Sequence, residues 1–442
     1  MFRKRRPATD NMKSILHTTL IFVASLGLAQ NKKHFVLTGG IVHIGNGTLI
    51  EGGVIAVNNG TIEMVMPMKG FKLNPASYDT VIDLEGKHVY PGLINANNIL
   101  GLHDAEAVRA TRDFSEIGSL NPHIRSLIAY NTDNQIVPTI KTNGILYTQC
   151  TPRSGLISGS SSIMALEGWN WEDAVMKADD GIHVNFPKMT ERRADGEGDI
   201  HTNTQLQGPK RYTEELNSLH KFFMDATAYM NSKDKSEKNL RFEAMRPVLE
   251  GKANLYLHVD RAKDILSAIN FSIRHKIKKP VIVGGKEAYK VTKELSKEKI
   301  PVILNRVHDL PERTDEAIDL MYRLPALLEK DSILFCLQME GDMEAMQSRN
   351  LPFNAGTAVA YGLSKEQALS SITLRSAKIL GVADRIGSIE TGKQASIVVS
   401  TGDILDMRTN DITHAWISGK PVNLSNKQSE LYNRYKAKYG IK

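Results

Sequence analysis

His258 closes the apolar run Leu255-Tyr256-Leu257-His258, with Asp260 two residues beyond it. An imidazole at a strand end can accept a proton or offer a lone pair to a metal ion, and it can equally be a satisfied core histidine. Arg153 opens a second feature, Thr151-Pro152-Arg153-Ser154-Gly155, the start of a Gly/Ser-rich stretch that continues to Ser162. Backbone N–H groups and a guanidinium there could clamp an anion. The stretch lacks the Gly-Lys-Ser/Thr ending of a P-loop, which argues against nucleotide binding. His103-Asp104 and His308-Asp309 are further ligand-capable pairs, though such residues are ordinary in surface loops. Cys150 and Cys336 sit in apolar runs and read as small buried hydrophobes; two cysteines cannot build a disulfide framework.

Positioning these groups requires strands, and the middle of the chain supplies them. Apolar runs over 89–94, 144–148, 162–166, 183–186, 255–258, 281–283, 302–304 and 333–337 predict eight strands, several of them continuous runs of the kind buried parallel strands show. Helical spacing fills most of the gaps, as in Ile265, Leu266, Ile269 and Ile273. The pattern predicts an α/β fold, a (β/α)8 TIM-like barrel with its site at the C-terminal strand ends. Short strands with Gly-Gly, Gly-Asn-Gly and Asn-Asn-Gly turns precede it, and residues 397–400 and 415–418 repeat the pattern after it. They predict a small β-sandwich domain built from both chain ends, over 30–86 and 385–442, around a barrel over 87–384. Residues 188–250 read as an insertion: a polar loop over 188–211, then Leu216, Leu219, Phe222, Phe223, Ala226 and Met230 at helical spacing.

Residues 1–29 read as a secretory signal, with a basic start, an apolar run over 15–28, and Gly27 and Ala29 before a cleavage at Gln30. The expected protein is therefore exported, with no stable membrane span after processing. The net charge of +7 includes five basic residues of this segment against Asp10 alone. The remainder is close to neutral and has no basic stripe with interleaved aromatics, so nucleic-acid binding has no support.

The run Val89-Tyr90-Pro91-Gly92-Leu93-Ile94-Asn95-Ala96-Asn97-Asn98-Ile99 resembles the amidohydrolase superfamily, especially its imidazolonepropionase-like members. So does the stretch from Gly362-Leu363-Ser364 through Arg385-Ile386-Gly387-Ser388-Ile389-Glu390 to Gly392-Lys393. In that family Pro-Gly-Leu-Ile-Asp runs into His-x-His, whose histidines hold a catalytic divalent metal. Here Pro91–Ile94 match, Asn95 replaces the Asp, and the histidine positions hold Asn97 and Ile99. The resemblance also implies a histidine at the end of strand five, which His258 fits, and one at the end of strand six, where Val281-Ile282-Val283-Gly284 has none. It implies an aspartate ending strand eight, where Glu340 and Asp342 are nearest. A catalytic Zn²⁺ needs about three protein ligands and an open position. An Asn amide is a weak neutral donor and Ile is none, so the expectation is one weakly held divalent metal or none.

Three functions follow. The first is hydrolysis of a C–N bond in a small cyclic amide, with His258, Glu340 and Asp342 as catalytic groups and His258 as metal ligand. The second is a non-catalytic pocket for a small-molecule ligand, lined by Asn95, Asn97, Asn98, Arg153 and His258. The third is an assembly component that uses the insertion. A homo-oligomer is compatible with any of them.

Overall fold

The computed structural model describes residues 34–105, 107–189, 209–232, 237–311, 313 and 315–441. Residues 1–29, read above as a secretory signal, and most of the 188–211 loop lie outside them.

The first sheet opens with a bulged antiparallel meander, β1 (His34–His43), β2 (Leu49–Asn58) and β3 (Thr61–Pro67). The β2–β3 turn is Asn59-Gly60, both at positive φ. A Cβ on Gly60 would lie 2.4 Å from the Ser418 carbonyl oxygen, so the turn admits no side chain there. Two short strands, β4 (Thr80–Asp83) and β5 (His88–Pro91), pair parallel with β1.

The second sheet is the barrel: β6 (Leu93–Asn98), β7 (Ile145–Cys150), β8 (Ile157–Ala165), β9 (Val175–Asn185), β10 (Asn254–Val259), β11 (Pro280–Gly284), β12 (Val302–Leu304) and β13 (Phe335–Leu337), hydrogen-bonded in chain order. An Ala96↔Gln338 bridge joins its two edges. After the barrel, β14 (Ile397–Ser400), β15 (Ile412–Ile417) and β16 (Lys420–Pro421) return to the first sheet, where β14 pairs antiparallel with β5. The predicted α/β barrel and separate β unit from both chain ends are thus present.

Two details differ from expectation. The apolar run over 89–94 is not one strand. His88–Pro91 belongs to the first sheet, and the barrel begins at Leu93. Gly92 makes the transition where a Cβ would sit 2.7 Å from Leu146 Cδ1. Both faces of both strands are buried, so hydrophobic pattern alone carries no mark of the break. Second, β8 runs antiparallel to β7 and β9. Its strand begins at Ile157, inside the Gly/Ser stretch, so only residues 151–156 form a loop. Small residues there allow close approach: a Cβ on Gly159 would fall 2.6 Å from the Ile124 carbonyl.

The helix Pro209–Asn231 carries the insertion's apolar stripe, with Leu219, Phe222, Phe223 and Ala226 buried. In the helix Ala262–Arg274, Ile265, Ala268, Ile269 and Phe271 are buried, but Ile273 is 53% exposed. Phe271 and Ser272 keep the last turn against the core, and Ile273 lies on its outer side. Both cysteines are buried and free, and burial pushes each thiol up to about 12.

Candidate active site

Asn97 lies at the end of β6 with φ +48°, a left-handed conformation that Asn tolerates better than most residues. This twist interrupts the β6–β7 register between Asn95 and Asn98 and turns the side chain across the barrel mouth. Its Nδ2 donates to Glu340 Oε2 at 2.7 Å and also to Gln338 Oε1. Its Oδ1 accepts from Arg153 Nη1 at 2.7 Å, and its backbone N–H donates to Gln149 Oε1 at 2.9 Å. Every polar group of this residue is therefore directed by a neighbour.

Arg153 is the centre of charge. Its Nη2 donates to the Asn97 carbonyl and to both oxygens of the buried Glu344, at 3.0 and 3.2 Å. Burial alone would raise both nearby carboxyls. For Glu340 the charges of Arg153 and His258 outweigh burial, and its pKa falls. For Glu344 burial wins and its pKa rises. One guanidinium thus serves two carboxyl groups of unequal acidity.

His258, from β10, faces this cluster. Its Nδ1 is 4.0 Å from Glu340 Oε2 and its Nε2 is 2.8 Å from His183 Nδ1. Burial and the charge of Arg153 lower its pKa to about 4 despite Glu340, so the ring is neutral at neutral pH. His258, Glu340, Asp260, Asn305, Lys188 and Lys286 line a cleft of about 470 Å³. A neighbouring cavity of about 420 Å³ is lined by Arg153, Glu344, His103, Arg112 and Phe114.

The structure brings together Asn97, Arg153, His258 and Glu340 from the sequence-predicted set. Asp342 lines the rim of both cavities. Asn95 and Asn98 are fully buried; the first donates to Ser348 Oγ at 2.8 Å and the second accepts from the Leu100 N–H at 2.9 Å. Of the substitute pairs, His308 is held by Thr357 Oγ1 at 2.6 Å, and Asp309 pairs with Lys286 at 2.7 Å. Trp171 packs against the barrel core, whereas Trp169 is 93% exposed.

Sequence reasoning missed Glu344, Gln338, Gln149 and a buried group beneath His258. There His183 Nε2 lies 2.8 Å from Ser161 Oγ, which lies 2.6 Å from Asp180 Oδ1. Tyr256 Oη at 2.5 Å and Gln149 Nε2 at 3.0 Å donate to Asp180 Oδ2. The available signal was weak: Tyr256 and His258 are two apart on β10 and so share a face, whereas Asp180 and His183 are three apart on the adjacent β9.

The divalent ion implied by the family resemblance can be tested against these donors. Asn97 presents N–H groups to the carboxylate, and its oxygen is capped by a cation. Ile99 has no donor, and β11 ends in Val283-Gly284. Among the described residues, no group of three or more His, Cys, Asp or Glu side chains is gathered to hold a metal. The donor set does not fit a catalytic divalent ion.

Comparison with known proteins agrees with the architecture. A sequence model of the Amidohydrolase family matches residues 314–422. An amidohydrolase of Hapsidospora irregularis is 21% identical over 373 residues, 77% of this chain and 37% of that protein. An imidazolonepropionase of Erwinia tasmaniensis is 38% identical over 77 residues, 17% of each chain. The chain thus spans well under half the length of these curated relatives. Among solved structures, an amidohydrolase from Thermotoga maritima superposes with a TM-score of 0.75 at 26% identity, covering 88% of this chain and 99% of that one. A zinc-bound adenosine deaminase from Xanthomonas campestris shares the fold at TM-score 0.51 and 16% identity, covering 92% and 98%. The chain is thus similar to amidohydrolases in sequence over residues 314–422 and in fold over most of its length.

Proposed function

We propose that this protein is an exported hydrolase of the amidohydrolase type that takes a small cyclic amide, or a related C–N compound, into the His258–Glu340 cleft without a tightly held metal ion. The observation that carries this reading is the cleft itself, where His258, held neutral by burial, shares one cavity with Glu340, Asp260 and Lys286. His258, neutral and facing the cleft, is the group able to accept a proton from water, and Glu340 stabilises the imidazolium that results. A base held near 4 is weak, so turnover on this route is slow. That weakness, with Asn97 and Arg153 both tied to protein partners, favours a second reading in which the cleft binds such a compound without cleaving it.

Elemental analysis of the purified protein tests the shared premise. The expected result is below about a tenth of an equivalent of Zn, Mn, Ni or Fe, since metal hydrolysis needs an ion in each site. Stoichiometric metal that His258→Ala removes would overturn it and restore an ordinary metal hydrolase. Thermal-shift and hydrolysis assays with lactams, hydantoins and imidazolones then separate the two readings. A shift and product that both vanish in His258→Ala support hydrolysis; a shift without product supports binding alone. No shift across the set would remove both.

A further inference from the structure

We propose that Asp180, at the buried end of a hydrogen-bond chain through Ser161 and His183, is a positioning residue that fixes His258 as the tautomer with its Nδ1 lone pair turned to the cleft. The importance of that lone pair rests on the functional reading above; the chain itself rests on the following geometry.

Donor and acceptor directions run one way through the chain. Asp180 Oδ2 receives Tyr256 Oη at 2.5 Å and Gln149 Nε2 at 3.0 Å. Tyr256 Oη already accepts from Asn254 Nδ2 at 2.8 Å, leaving its hydrogen for Asp180. Gln149 cannot turn its amide round, because its Oε1 accepts the Asn97 backbone N–H at 2.9 Å. Asp180 Oδ1 faces Ser161 Oγ at 2.6 Å. A carboxylate there takes the one hydroxyl hydrogen of Ser161. Ser161 Oγ must then accept from His183 Nε2, at 2.8 Å. With its hydrogen on Nε2, His183 presents a bare Nδ1, which accepts from His258 Nε2 at 2.8 Å. The hydrogen of the neutral His258 ring is thereby fixed on Nε2, and Nδ1 is left bare toward Glu340 and the cleft. Stacking of His183 on Tyr256, with ring centroids 4.4 Å apart, restricts ring rotation. Burial raises the Asp180 pKa, while its three donors and the charge of Lys177 oppose this.

Asp180→Asn makes the proposal specific. The amide oxygen must face Gln149 Nε2, which can only donate, and takes the Tyr256 hydroxyl hydrogen there as well, so the new NH₂ faces Ser161. Ser161 then donates to His183 Nε2, His183 donates from Nδ1 to His258 Nε2, and the His258 hydrogen moves to Nδ1.

Imidazole nitrogen NMR of the full chain with isotope-labelled histidine at neutral pH reads this directly, with His183 and His258 signals assigned by their loss in His183→Gln and His258→Gln. The expected wild-type spectrum shows bare Nδ1 and protonated Nε2 on both rings, reversed on both in Asp180→Asn. Ser161→Ala removes only a hydroxyl and serves if the first variant does not fold; it should replace the single His258 tautomer by a mixture. A wild-type His258 protonated on Nδ1, or a pattern unchanged in Asp180→Asn or Ser161→Ala, would overturn the proposal. Neither spectrum needs a ligand. Failure of the cleft to bind cyclic amides would therefore sink the functional reading alone.

Discussion

Arg153 illustrates how little freedom one buried charge leaves its neighbours. It donates to Asn97 Oδ1, to the Asn97 carbonyl and to both oxygens of Glu344. Arg153→Met removes the cation but leaves Glu344 buried, so it should cost about 3–5 kcal/mol in denaturant unfolding. Combining it with Glu344→Gln removes the stranded charge and should recover a large part of that loss. A single variant as stable as wild type would show that the guanidinium does not organise the site. Arg153, His258 and Glu340 were legible as candidates because each is a chemically capable residue beside a strand run. His183, Ser161 and Asp180 were not. Ser161 reaches both others because β8 is reversed, pairing Ser161 with Gly181 and Gly159 with His183. That register is long-range information with no local trace in the chain.

Elements were easier to read than their directions. The stripe from Leu216 to Met230 foretold the helix Pro209–Asn231, yet not what it packs on. Its buried Phe223 meets Phe271 edge-on at 5.0 Å, and His220 Nδ1 lies 2.8 Å from His275 Nε2 at the end of the helix Ala262–Arg274. Burial, then the His220 and Arg274 charges, lower the His275 pKa from 6.5 to about 4. Between those values the unfolded chain binds a proton that the folded one refuses. The His275 contribution is therefore complete above 6.5 and is lost as pH falls toward 4. Discounted for a half-exposed ring, it amounts to about 1–2 kcal/mol. Unfolding midpoints of wild type and His275→Gln at pH about 7 and about 4.5 check this. The wild type should lose more stability on acidification, and equal losses would remove His275 from the account.

At the scale of the whole molecule, the two sheets share a strand surface rather than a linker. Alternation along β14 sends Ile397 and Val399 into the core of the first sheet and Val398 into the barrel core. The neighbouring β5 divides likewise, with Val89 in the first core and Tyr90 in the second. Polar contacts reinforce the join: Gly92 N–H donates to the Ser396 carbonyl at 2.9 Å, and Tyr147 Oη lies 2.6 Å from Ser396 Oγ. The barrel also buries Ile404 from the segment beyond β14. Neither unit can lose β14 without exposing apolar surface in the other, so the two should unfold together. Val398→Ala deletes two methyl groups from a fully buried position in the barrel core and should cost about 1–3 kcal/mol. It should shift near-UV signals from Trp416, which belongs to the first core, by the same amount as far-UV signals from the whole chain. A Trp416 transition that stays in place while the far-UV midpoint falls would mean that the sheet unfolds independently. Residues 397–400 would then tether the two units without coupling them.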